Sequence, residues 1–168
     1  MSTENQEKVT DESSTFACPQ CLESLNKDYV CSSCAFIAEK IERIPILVKD
    51  HKKVQKQIEE AKLQGRTDWY EQPQDPVLHG PYRHHVKKRR DYVESAIKRF
   101  VKRCPVSKAL DLGCGDGINL SWLRKYANTL LGSDYNMQRL LRAESRKITS
   151  ELALADITEY SATDETFD

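Results

Sequence analysis

The sequence predicts an α/β fold, a parallel sheet with flanking helices, preceded by a small metal-binding cysteine module. Three observations predict it. From Asp91 onward, strand-like apolar runs alternate with helix-like periodicity. The first of those runs leads into a loop with glycine at positions 113, 115 and 117. Upstream, Cys18, Cys21, Cys31 and Cys34 form two C-x2-C pairs.

The 168 residues divide into four segments. Residues 1–15 are polar and acidic and predict a disordered tail. Residues 16–48 hold the cysteine pairs and end in an apolar, strand-like run, Ile44-Pro-Ile-Leu-Val48. Residues 49–90 read as a connector. Val54, Ile58, Ala61 and Leu63 fall near helical spacing, and Gly65 is a stop. The stretch from Arg66 to His85 is rich in proline and predicts irregular chain. Its Trp69, Tyr70 and Tyr82 pin that loop to the core or line a pocket.

Residues 91–168 carry the strand–helix alternation. Tyr92, Val93, Ala96, Ile97, Phe100 and Val101 make one apolar stripe, with basic residues opposite. Strands follow at Lys108–Leu112, Thr129–Ser133 and Leu152–Ala155. Leu120, Leu123 and Tyr126 mark one intervening helix; Met137, Leu140, Leu141 and Ile148 mark the other.

The glycine loop, Leu110-Asp-Leu-Gly-Cys-Gly-Asp-Gly117, joins the first strand to a helix. Such a loop turns sharply and lets backbone lie against a ligand with no Cβ between. A dinucleotide fingerprint would put its third glycine at Ile118, and Asp116 would repel a pyrophosphate. Both features argue against a dinucleotide enzyme. There is no G-x-x-x-x-G-K-[ST] phosphate loop either.

Residues Leu110 to Gly117, with Asp134 closing the second strand and Asp156 the third, resemble class I S-adenosylmethionine-dependent methyltransferases of the type 11-like group. The resemblance covers residues 91–168. It implies a Rossmann-like parallel sheet of which this chain carries the first three strands. It also implies a cofactor, S-adenosyl-L-methionine, and a set of roles. Gly113 and Gly115 shape the methionine-side pocket, Gly117 is a further cofactor-binding candidate, and Asp111 helps hold the amino group. Asp134 accepts hydrogen bonds from both ribose hydroxyls. Asp156 lies near the adenine amino group, Ile157 packs beside the ring and Tyr135 lies at its other edge. The Phe167-Asp168 pair is similar to the opening of the family's fourth strand, so strands four to seven are expected beyond it, and the first strand is left with an open edge.

Two residues between cysteines let both sulfurs of a knuckle face one ion, and two knuckles complete a four-thiolate zinc site. A closed shell of this kind is structural. Disulfides and free thiols are the alternatives. Tyr29 and Val30 are placed to form the hairpin's second strand. Leu22 and Ala35 stand just after the second cysteine of each knuckle, where a ribbon commonly has glycine. The module resembles the ribbon ahead of some methyltransferases, ribosomal RNA guanine methyltransferases among them. Cys104 and Cys114 lie apart and are assigned to packing.

With Lys+Arg and Asp+Glu both at 26, no overall field selects a nucleic acid. A local basic run stretches from Arg83 to Arg103. No apolar run reaches the ~18 residues of a membrane span, and no secretory signal stands at the start, so a cytoplasmic, reducing setting is expected. The expected function is methyl transfer to an acceptor the sequence does not name, with a small molecule or glycan favoured over RNA. The alternative is a zinc-ribbon adaptor with an inactive half methyltransferase fold. No catalytic base is assigned; His79, His84 and His85 read as solvated.

Overall fold

The structure, a computed structural model, describes residues 13–64, 80–149 and 151–159. The acidic tail before Ser13, the loop residues Trp69, Tyr70 and His79, the side chain of Tyr82, and Phe167-Asp168 lie outside the described residues.

The cysteine module opens with β1 (Ser13–Ala17) and β2 (Ser24–Asn26), an antiparallel pair across the first knuckle. The hairpin partner is thus β2, not Tyr29–Val30. Tyr29 sits in a turn at φ 62°, and Val30 makes an isolated antiparallel bridge to Ile37 across the second knuckle. Next come β3 (Lys40–Ile41) and β4 (Ile44–Leu47), a tight antiparallel hairpin. Helix α1 (His51–Leu63) follows, its start capped by Asp50, whose Oδ1 accepts the Lys53 N–H at 2.9 Å.

Helix α2 spans Gly80–Phe100, beginning well before the helix expected from Asp91. Pro81 in the first turn is compatible with a helix start, because its missing N–H has no intrahelical role there. The single apolar stripe expected on α2 is split. Val93, Ile97 and Val101 are half-buried, whereas Tyr92, Ala96 and Phe100 face outward. A long helix touching the domain along a narrow line buries one i, i+4 row and leaves its neighbour in water.

The remaining elements are β5 (Val106–Leu112), α3 (Ile118–Leu123), β6 (Ala127–Asp134), α4 (Met137–Ser145) and β7 (Glu151–Ala155). Strands β5, β6 and β7 are parallel, with Asp111 opposite Gly132 and Gly132 opposite Leu152. The sheet does not stop at these three. Strand β4 pairs in parallel with β7, giving a five-stranded sheet in the order β3-β4-β7-β6-β5. Among the described residues, β5 pairs only with β6 and forms an edge.

Alternation along the strands builds a core on each face. On one face, Ile44, Ile46 and Val48 from β4 and the residue after it, Leu130 from β6, and Leu152 and Leu154 from β7 pack against α3 and α4 through Leu120, Leu140 and Ala143. On the other, Leu47, Leu131 and Ala153 meet Phe16, Leu25, Cys31 and Ala38 of the cysteine module. The result is three layers: helices, sheet, and a cysteine ribbon where a second helical layer could have been. Glu151 fastens the ribbon to the sheet by accepting from the hydroxyls of Tyr29 at 2.5 Å and Ser14 at 3.3 Å.

Close packing also explains Gly132. A Cβ there would come within 2.9 Å of both Cys114 Sγ and Leu152 Cδ2, so the bare backbone is what lets the glycine loop sit down on the sheet.

Candidate cofactor site and metal centre

The four sulfurs of Cys18, Cys21, Cys31 and Cys34 all lie within 4.8 Å of one another. The closest contacts join the two knuckles: Cys21–Cys31 at 3.4 Å and Cys18–Cys34 at 3.5 Å. A disulfide needs about 2.05 Å. A zinc tetrahedron with Zn–S of about 2.3 Å has sulfur–sulfur edges of roughly 3.8 Å. The donor set therefore fits a structural zinc ion held by all four thiolates. The knuckle turns are in place as well. Leu22 donates its N–H to the Cys18 carbonyl at 2.9 Å, and Cys31 donates to Phe36 at 2.8 Å. Leu22 and Ala35 have φ of 69° and 58°. These are the left-handed positions where ribbons favour glycine, and here L residues accept the local strain.

The glycine loop crosses the C-terminal end of the sheet. Gly113, Gly115 and Gly117 all have positive φ, at 75°, 54° and 75°. The Gly113 and Cys114 N–H groups both donate to the Ser133 carbonyl, at 2.8 and 2.9 Å, which anchors the loop to β6. Space beside Gly113 is open: an added Cβ would find nothing within 4 Å. At Gly117 it would meet Ala143 Cβ at 3.1 Å, so this third glycine serves the approach of α3 to α4.

Three carboxylates stand at or near the ends of β5, β6 and β7. Asp111 is the unusual one. Its Oδ2 is buried with no hydrogen-bond partner among the described residues. Burial pushes its carboxyl up to about 6, against the opposing pull of a hydrogen bond from Asn119 and the positive charge of Arg89, while the Asp134 charge adds to the rise. A buried acceptor without a donor is suited to an ammonium or other donor from a ligand. Asp134 accepts from Gly115 N–H at 2.9 Å through Oδ2 and from Asn136 N–H at 2.8 Å through Oδ1. Asp156 turns its Oδ1 back to Thr158, accepting from the N–H at 2.8 Å and the hydroxyl at 2.7 Å. Tyr135 is half-buried, and Ile157 is 58% exposed.

Asp116 corrects one step of the sequence argument. It does not present its charge to a ligand. Its side chain is 1% exposed and takes both Arg142 Nε and Nη2 at 3.2 Å, with Arg139 Nε at 3.7 Å. The charge is neutralised behind the loop, so the case against a pyrophosphate rests on glycine spacing alone. Spacing could not reveal these arginines, because the pairing spans 26 residues. Asn119 and Arg89 also went unmarked by any motif. Cys114 is buried beneath the loop and its thiol is pushed up, first by burial and then by the Asp134 and Asp111 charges, which suits the packing role expected of it. Cys104 is exposed, unlike a packing residue. His84 and His85 are exposed on α2.

Residues 110–168 match the family model described as Methyltransferase domain. The matched segment contains the whole glycine loop, Asp134 and Asp156. Among solved structures, the chain is similar to a plantazolicin methyltransferase, BpumL, in complex with SAH, at 23% identity and a TM-score of 0.35. The similarity covers 69% of this chain and 48% of that one, so this chain spans about half of that structure's length. No curated protein matches the chain. Among the described residues, no helix is long and apolar enough to cross a membrane.

Proposed function

We propose that this chain binds S-adenosyl-L-methionine across the C-terminal ends of β5, β6 and β7 and serves methyl transfer. The observation that carries the reading is the orphaned Asp111 Oδ2, buried beside a left-handed glycine loop with open space at Gly113. Asp111 holds the cofactor's amino group. Asp134, now bonded to Gly115 N–H, exchanges that donor for the ribose hydroxyls; a carboxylate accepts both at once. Asp156 faces the adenine amino group, flanked by Tyr135 and Ile157. Gly113 and Gly115 let the chain pass close to the methionine moiety.

When bound, the cofactor supplies an electrophilic methyl on a sulfonium, which a nucleophilic acceptor attacks in line. The protein's part is to fix the cofactor and align the two reactants. The acceptor is proposed to be a small molecule or glycan in preference to RNA, in a cytoplasmic setting. The zinc centre is structural and holds the ribbon against the sheet.

Calorimetric titration with S-adenosylhomocysteine tests the reading. Binding should be measurable for the zinc-loaded chain and weaken at least ~tenfold in Asp134→Ala, since two charge-assisted hydrogen bonds are lost. Absence of binding by folded, zinc-loaded protein favours the adaptor reading instead.

A further inference from the structure

Strand β4 belongs to the cysteine module by sequence but to the sheet by hydrogen bonding. It runs parallel to β7, with Ile46 opposite Leu154 and Leu47 opposite Ala155. The residues that follow, Val48 on one strand and Asp156 on the other, therefore leave the sheet side by side at its C-terminal end. Ligands of open parallel sheets bind at that end.

A cavity of about 100 Å³ lies there. Tyr135, Asp156 and Glu159 line it from the methyltransferase side. Val48, Lys49, Asp50 and Lys53 line it from the module side. The module side is built rather than incidental. Val48 is buried in the sheet's helical-face core. Asp50 caps α1 by accepting the Lys53 N–H, which fixes where Lys53 begins. Asp156 and Glu159 thus stand on one wall, and on the other two lysines stand beside Asp50, whose carboxylate Oδ1 is taken by the Lys53 N–H. Adenine has a matching edge, with an amino donor beside ring-nitrogen acceptors. Asp156 keeps its Oδ2 for the amino group, because the Thr158 contacts use Oδ1.

We infer that the cysteine module is part of the cofactor site: the turn Val48–Lys53 forms the outer wall of the adenine pocket, with Lys49 and Lys53 donating to the ring nitrogens. This rests on the cofactor reading above. It adds that the base is held between two parts of the chain that the sequence separates.

The test is titration of S-adenosylhomocysteine and of adenosine into the wild-type chain and the K49A/K53A double variant. Both lysines are exposed, so the variant should fold, and an unchanged melting temperature verifies it. The variant is expected to bind both ligands about tenfold more weakly, by a similar factor, because the lost contacts are to the base that the two ligands share. Wild-type affinity in the variant would overturn the inference and leave the cofactor reading standing. A loss for S-adenosylhomocysteine without a loss for adenosine would also overturn it, by assigning the lysines to the methionine end. Failure of the wild-type chain to bind either ligand would remove the cofactor reading, and this inference with it.

Discussion

Asp111 couples the protein's stability to pH and, in the role proposed for it, couples cofactor binding to pH in the opposite sense. Its carboxyl sits at about 6 in the folded chain against an ordinary 3.8. The folded state thus binds this proton more tightly than the unfolded state. The stabilisation is complete below 3.8 and is lost as pH rises through about 6. A cationic amino group asks for the reverse, an ionised Asp111. Affinity for S-adenosylhomocysteine should therefore climb as pH rises from about 5 to 7. Calorimetry across that range checks it, and Asp111→Asn should bind more weakly with a flat profile. An equally steep profile in the variant would assign the titration to another group. The residue types at this site were legible in the sequence because turn and strand-end chemistry is local. The protonation of Asp111 was not, because it depends on burial and on Asn119 and Arg89, brought near by folding.

Between α4 and the glycine loop, the buried Asp116 carboxylate with Arg139 and Arg142 forms a clamp that holds the loop's back. Arg139 Nη1 would lie 3.3 Å from a Cβ at Gly115, so the arginines also support the loop's crest. Removing the carboxylate leaves two guanidinium groups, 11% and 26% exposed, without their shared anion. Asp116→Ala should destabilise the fold by about 3 kcal/mol, since breaking a buried pair from one side strands its partner. Urea denaturation measures this, and a midpoint equal to wild type would show the clamp to be dispensable. Periodicity located β5, β6, β7 and the helices between them, but it could not see the clamp. Nor could it place the start of α2, because the prolines before Asp91 read as breakers although one of them lies within a helix's first turn. The Ile44–Val48 run was recognisable as a buried strand, whereas its partner β7, over a hundred positions along, left no trace in local pattern.

For the molecule as a whole, the ribbon covers one face of the sheet. Leu131 and Ala153 are fully buried, and Phe16 and Leu25 lie against that same core. A four-thiolate site contributes its metal-binding free energy to folding. Chelating the zinc should loosen the ribbon, uncover that face and draw β4 away from β7. The expected signs are binding of a hydrophobic dye, concentration-dependent aggregation, and S-adenosylhomocysteine affinity lowered at least about tenfold. Zinc extraction that leaves dye binding and ligand affinity at their original levels would show that the ribbon holds without metal. Spacing alone marked the two cysteine pairs as a set able to hold a metal, and the structure brings their four sulfurs together. That the centre serves as a layer of the domain follows from the alternation of Leu47, Leu131 and Ala153, visible only once the strands are side by side.

The bonds from Tyr29 and Ser14 to Glu151 join residues 122 and 137 positions apart, and they set an order of events during synthesis. The four sulfurs come from residues 18 to 34 alone, so they could close around a metal early. Strand β4 is made soon afterwards but must wait for β7, the last strand described. Throughout that interval it offers an unpaired, apolar edge, the kind of surface on which nascent chains stick to one another. Pairing of β4 with β7 is then a long-range step whose loop entropy is met all at once. A ribbon made rigid by a bound metal would lower that cost, because it would bring to the β4–β7 pairing a preformed surface in place of a floppy one.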